Sequence, residues 1–204
     1  MTSKRIITAL TAVALSSMLL AGCTTTATPT PGPSTASATP TPTTGTKVPP
    51  PADEEEAIAE AKRTASAWLE AWATIESTGE GDSSSLDQLA TARALQISAN
   101  SIEHIRKGPI PDQNGEPVEG AGTVTGQITF EPQTAYGQPW EEVENGLVIM
   151  EGCQDISKRV VTTHAGTPAQ RNESLRNMVE YKVIYDAGQQ IWLVQDVIDL
   201  QRTC

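Results

Sequence analysis

Between Ile58 and Ile75 the apolar residues return at threes and fours: Ile58, Ala61, Ala65, Trp68, Leu69, Trp72 and Ile75. That spacing puts them on one broad face of a helix, predicted over residues 54–76, with Glu60, Arg63 and Glu70 on the opposite face. Asp53 stands three residues before Glu56 in a capping-box arrangement, and Glu54 and Glu55 face the positive end of the helix dipole. Trp68 and Trp72 lie one turn apart. The spacing suits a ligand-pocket floor as well as core packing, and core packing is the reading taken here.

A short helical piece is expected around Leu86 and Leu89. A further helix, carrying Ala92, Leu95, Ala99, Ile102 and Ile105, runs to Lys107, where Gly108 and Pro109 end it. His104 near that end reads as a surface residue. Residues 109–122 read as a loop, with Asn114-Gly115 as a turn signal. The period then changes to two. A strand is predicted over 123–130, curved or bulged at its glycines, followed by an irregular stretch over 131–145 that holds Tyr136 and Trp140. Strands are expected at 147–153 and 159–163. The clearest pair is a hairpin of 176–185 and 190–200 about Asp186-Ala187-Gly188. Val179, Tyr181, Val183 and Tyr185 share one face of it; Trp192, Val194, Ile198 and Leu200 are expected to share the other strand's face. Helices first and antiparallel strands after is an α+β pattern, with helices covering one face of a curved sheet.

The first fifty residues follow neither period. Residues 6–20 are almost wholly apolar or small behind Lys4 and Arg5, the layout of a secretory signal and too short to span a bilayer as a helix. Leu19-Leu20-Ala21-Gly22-Cys23 resembles the lipobox of bacterial lipoproteins. The resemblance implies that the Cys23 thiol is diacylated (the palmitate-type modification) and becomes the mature N-terminus, held by two acyl chains at about 0.8 kcal/mol per buried methylene. Residues 24–51 are Thr, Pro, Ala, Ser and Gly with Lys47 as their one charge. This composition does not fold and favours an extended polyproline tether. The chain thus divides into 1–22, a signal; 23–52, a lipidated cysteine with its disordered tether; and 53–204, one α+β domain. The implied location is the extracytoplasmic face of a cell membrane.

The net charge of −11 falls further once Lys4 and Arg5 leave with the signal. An acidic chain repels nucleic acid and anionic headgroups, so neither is expected as a direct partner beyond the lipid anchor itself. With Cys23 lipidated, Cys153 and Cys204 remain. In an oxidising compartment they most simply pair, closing a loop worth about 4 kcal/mol in the chain-entropy model. A redox or metal pair is the alternative, and neither cysteine has a second ligand nearby in sequence.

The capped first helix ending before Gly79-Glu80-Gly81-Asp82, the helices after it, the Cys153-Gln154-Asp155 step and the terminal hairpin with Trp192-Leu193-Val194 resemble an NTF2-like domain. They are similar to small actinobacterial lipoproteins of that fold, in which a Cys-x-Asp strand end and a C-terminal cysteine recur. The resemblance covers 53–204 and implies a cone whose sheet wraps a pocket. Enzymes of the fold, similar to ketosteroid isomerase or polyketide cyclases, use carboxylates, Tyr or His inside the cone. The corresponding candidates are Asp196, expected to share a face with Trp192 and Val194, together with Tyr181 or Tyr185. Trp68, Trp72 and Trp192 are the candidates for ligand contact. Asp155 and His164 read as structural. There is no zinc spacing, nucleophile elbow or phosphate loop, so no metal or cofactor is implied. The expectation is a non-enzymatic domain that binds a small apolar ligand or an envelope protein. The alternatives are a cone enzyme of isomerase or cyclase type and a structural accessory of an envelope complex.

Overall fold

Asp53 opens the first helix as its spacing requires: its carboxylate accepts the Glu56 N–H at 2.9 Å, and Glu56 Oε2 accepts the Ala52 N–H at 2.7 Å. The structure is a computed structural model that describes residues 47–107, 110–111, 117–118, 121–163, 165–169 and 174–204. The segment expected to be a signal, Cys23, most of the expected tether and His164 lie outside the described residues. Helix α1 (Glu54–Thr78) buries Ala57, Ala61, Ala65, Trp68, Leu69, Trp72 and Ile75, and closes at Gly79, whose N–H returns to the Ile75 carbonyl at 3.0 Å. A 3-10 turn over Ser83–Leu86 buries Leu86. Helix α2 (Ala92–Lys107) follows. Its buried stripe is Ala94, Ser98 and Ile102, one position away from part of the expected set, and Ala92 is exposed. Ser98 sits in the stripe because its hydroxyl bonds back to the Ala94 carbonyl at 3.1 Å.

The domain is α+β, with both helices packed on antiparallel sheet. Strands β4 (Thr129–Trp140), β5 (Val143–Asp155), β7 (Arg176–Asp186) and β8 (Ile191–Thr203) form one antiparallel sheet in the order β4-β5-β7-β8. Strand β3 (Ala121–Thr125) pairs with β6 (Val160–Thr163) as a separate two-stranded ribbon, and β1 (Ile110–Pro111) pairs with β2 (Pro117–Val118) inside the expected loop. Helices and sheet close over one core containing Trp68, Trp72, Tyr181, Tyr185, Trp192 and Val194. The outer edge of β8 is covered where Val194 exchanges backbone hydrogen bonds with Leu89 and Thr91, each 2.9 Å.

Four expectations are corrected. The strand predicted over 123–130 is two strands in different sheets, broken at Gly126. Its φ of +79° and its approach to the Lys158 carbonyl, 2.1 Å from where a Cβ would sit, admit only glycine. The stretch 131–145, expected to be irregular, is most of the β4–β5 hairpin. Its alternation is hidden because register shifts at Gln133 and Pro139 reset it, and because Pro132 and Pro139 are tolerated on an edge strand. Gly152 opposite Pro132 has no room for a side chain: a Cβ there would lie 2.2 Å from the Glu131 carbonyl.

The third correction is the β8 face. A bulge at Gln195 puts Val197, not Ile198, opposite the inward Tyr181, and places Asp196 opposite the outward Lys182. The fourth is the tether boundary. Val48, expected to be disordered, donates its N–H to the Gln190 carbonyl at 2.8 Å, accepts from the Tyr185 hydroxyl at 2.8 Å and packs on the core. The ordered unit therefore includes residues 47–52 and does not start at Asp53. Residues 47–52 lie beside the β7–β8 turn, at the end of the sheet where Glu54 accepts the Gly137 N–H at 2.8 Å. The opposite end carries Asp155, Arg176 and the Cys153–Cys204 disulfide, with Cα atoms 5.8 Å apart.

Candidate functional site

The interior where a cone pocket was expected is occupied by the domain's own rings. Phe130 stacks on Tyr181 at 4.2 Å, Trp68 meets the same tyrosine edge-on at 6.1 Å, and Trp72 tilts against Trp68 at 5.3 Å. Such pairs add to the burial of large apolar rings. Tyr181 is 0% exposed and donates its hydroxyl hydrogen bond to Gln154 Oε1 at 2.9 Å. Burial pushes that hydroxyl far above the ordinary tyrosine range, so it stays protonated at any physiological pH. Trp192 packs edge-on to Tyr185 at 5.5 Å, beside the Val48 clamp. The three tryptophans are core residues.

Asp196 does not meet Tyr181. The bulge turns it to the side of the sheet away from the core, where it accepts the Val197 N–H at 2.8 Å and lies 3.7 Å from Arg93 Nε, its side chain 23% exposed. The sequence pattern pairs the two residues because strict alternation is assumed across Gln195. His104 is exposed on α2. Asp155 caps the turn after β5. The hydroxyl and backbone N–H of Ser157 hold its carboxyl below the usual carboxylate range, and Arg176 stands 3.5 Å away. No group of three His, Cys, Asp or Glu residues suited to a metal ion occurs among the described residues.

The buried charge lies elsewhere, in a residue the sequence pattern did not single out. Glu76, 4% exposed at the end of the α1 apolar face, pairs with Arg159 Nη2 at 2.6 Å and accepts from the Ser101 hydroxyl at 2.5 Å. The Arg159 guanidinium also lies 5.6 Å from the centre of the Trp72 ring. One carboxylate thereby ties α1, α2 and the segment entering β6. A signal was available: Glu76 falls four residues after Trp72, inside the apolar stripe, where a charge requires a partner.

Beside this staple runs a groove between α1 and the start of β4. A recess of about 520 Å³ is lined by Ala73, Thr74 and Ser77 of α1, Gln127 and Thr129, and Asp155 with Lys158. A second recess of about 410 Å³, lined by Ser66, Leu69, Glu70, Ile128 and Phe130, shares Gln127 and Thr129 with the first, so the two adjoin. The Gly126 contact with Lys158 fixes the far wall. Apolar groups (Leu69, Ala73, Ile128 and Phe130) and hydroxyl, amide and charged groups line the recesses together, a mixture suited to recognition.

No family model matches the chain, and no curated protein matches it. Among solved structures it is similar to the intermembrane space region of the chloroplast protein ARC6, at 8% identity and a TM-score of 0.44, over 72% of this chain and 97% of that one. A likeness at that level carries no argument about function.

Proposed function

We propose that the chain is an extracytoplasmic lipoprotein, anchored through Cys23, whose NTF2-like domain binds a ligand or partner in the groove between α1 and β4 rather than inside the cone. The observation that carries this reading is the filled interior. Trp68, Trp72, Phe130 and Tyr181 occupy the space that a cone enzyme would leave for substrate, while the groove remains open at the surface. The cone chemistry expected of Asp196 as base and Tyr181 as hydrogen-bond donor needs both groups within reach of one substrate molecule. Here Tyr181 is sealed on the inner face of the sheet and Asp196 lies on the outer one.

The anchor reading rests on the Lys4-Arg5 start, the apolar run and Leu19-Leu20-Ala21-Gly22-Cys23. No helix among the described residues is long and apolar enough to cross a membrane. Val48 joins the domain at the end of the sheet away from Asp155 and Lys158, which line the groove. Two experiments test the reading. Cys23→Ser abolishes incorporation of a palmitate analogue and moves the protein out of the membrane fraction. In a thermal-shift screen of small molecules against the full chain, ligands lose their effect on Thr74→Trp, which fills the groove. Ligands indifferent to Thr74→Trp and lost on Asp196→Asn would overturn the groove as the site.

A further inference from the structure

We propose that the groove takes an organic amine, its ammonium head held by Glu70 and its aliphatic stem lying against Leu69, Ile128 and Phe130. This inference rests on the groove being the binding surface, and it names the class of ligand.

The α1 wall of the groove can accept hydrogen bonds and has none to give. Ser66, Glu70, Thr74 and Ser77 recur at four, four and three along it, so they follow one another on one side of the helix. Each hydroxyl hydrogen is already committed. Ser66 donates to the Lys62 carbonyl at 3.0 Å, Thr74 to the Glu70 carbonyl at 2.8 Å and Ser77 to the Thr74 carbonyl at 3.1 Å. A hydroxyl has one hydrogen and two lone pairs, so a side chain bonded back to its own helix offers a ligand only acceptor capacity. The Glu70 carboxylate is an acceptor as well, and the N–H groups here are spent within α1. A ligand that meets this wall must therefore bring the hydrogens.

Charge narrows the donor to a cation. Among the described residues, Glu70 is the one charged side chain that lines the second recess. Arg63, two turns before it, is paired with Glu60. Lys158 lines the first recess together with Asp155, so the two charges there offset each other. A hydrogen bond with an ionised partner is roughly twice as strong as a neutral one, and a net charge of −11 draws cations to the surface. An ammonium has three donors and no acceptor, which suits a carboxylate with a hydroxyl oxygen one turn away on either side. The apolar lining then separates an amine from a metal ion. Leu69, Ile128 and Phe130 share the recess with Glu70 and give a chain of methylenes a surface to cover. No group of three His, Cys, Asp or Glu residues suited to a metal ion stands among the described residues.

The probes are four molecules with one stem and different heads: butylammonium, butyltrimethylammonium, butan-1-ol and butyrate. Each is titrated into the full chain by calorimetry and thermal shift. Butylammonium should bind tightest. The trimethyl head keeps the charge and has no N–H, so it should bind about tenfold more weakly, and the alcohol and the carboxylate more weakly again. Glu70→Gln, at an exposed position, should weaken butylammonium about tenfold. Glu80→Gln removes the same charge from outside both recesses and should leave affinity within about twofold, the size of a screened long-range effect. Equal affinity for the ammonium and trimethylammonium heads, equal losses in the two variants, or no binding of butylammonium would overturn the amine as the occupant. The groove reading is judged separately. Small molecules of any charge that lose their thermal shift on Thr74→Trp preserve it when the amine arm fails.

Discussion

The two ends of this domain are held together by different means. At the Val48 end the sheet is apolar on both faces. Trp192, Tyr185 and Val194 pack inward, while Ile184, Ile191 and Leu193 cluster with Trp140 and Leu147 on the other side. Val48 is bonded across the β7–β8 turn, and Glu54 is bonded to the β4 edge. At the groove end the apolar packing lies on the inner face alone, around Trp68, Trp72, Phe130 and Tyr181, and a disulfide, the Glu76–Arg159 pair and turns capped by Asp155 are added to it. An end packed on one face and tied by directional links leaves room for a recess at its surface. The difference also separates stability from recognition, so the two can be perturbed independently.

The largest effects are expected in the shared core and the ionic staple. Trp68→Ala should cost about 3–5 kcal/mol by denaturant unfolding. Glu76→Ala should cost about 3–5 kcal/mol because it removes the buried carboxylate that pairs with the largely covered Arg159 guanidinium, whereas the paired replacement Glu76→Leu with Arg159→Met should recover most of that loss. If Glu76→Ala unfolds no more easily than Thr74→Ala, which should lie within about 0.5 kcal/mol of wild type, the staple does not hold the groove end. Replacing both Cys153 and Cys204 by Ser comes next, at about 2–4 kcal/mol, for a bridge whose ends are 51 residues apart. A smaller loss, about 1 kcal/mol, is expected for Tyr185→Phe, which removes one hydrogen bond of the Val48 clamp. Starting the chain at Asp53 should lose at least as much as Tyr185→Phe; equal melting temperatures for chains starting at 47 and 53 would argue that the clamp is idle.

The smallest effect is electrostatic. Hydrogen bonds from Ser84, Ser157 and Gln189 hold the carboxyls of Asp82, Asp155 and Asp186 below their ordinary range. A folded-state value below the unfolded one contributes stability that is complete above the unfolded value and is lost as pH falls through the folded one. The melting temperature should therefore be flat from neutral pH to about 5 and decline below about 4, a decline that Ser157→Ala makes shallower.

What the sequence made legible follows from periodicity. Helix α1, its cap, the disulfide partners and the last hairpin all rest on local spacing or on residue types with few options, and each is present. The positions that escaped depend on single inserted residues. One extra residue at Gln133 disguised β4, and one at Gln195 moved Asp196 from the expected inner face to the outer one. The groove itself was not legible, because its walls come from residues 66–77, 126–130 and 155–158, whose meeting is a tertiary fact. Glu76 was the exception: a charge within an apolar stripe could have been found from spacing alone.

The central claim is that recognition occurs in the external groove and not in the interior. It is tested most directly by mapping backbone amide shifts of the full chain on titration with a ligand found in the thermal-shift screen. The account predicts that the perturbed amides cluster at Thr74, Ser77, Gln127, Thr129 and Lys158, with Tyr181 and Asp196 unchanged. Shifts centred on Trp68, Tyr181 and Trp192, with the groove amides silent, would contradict it.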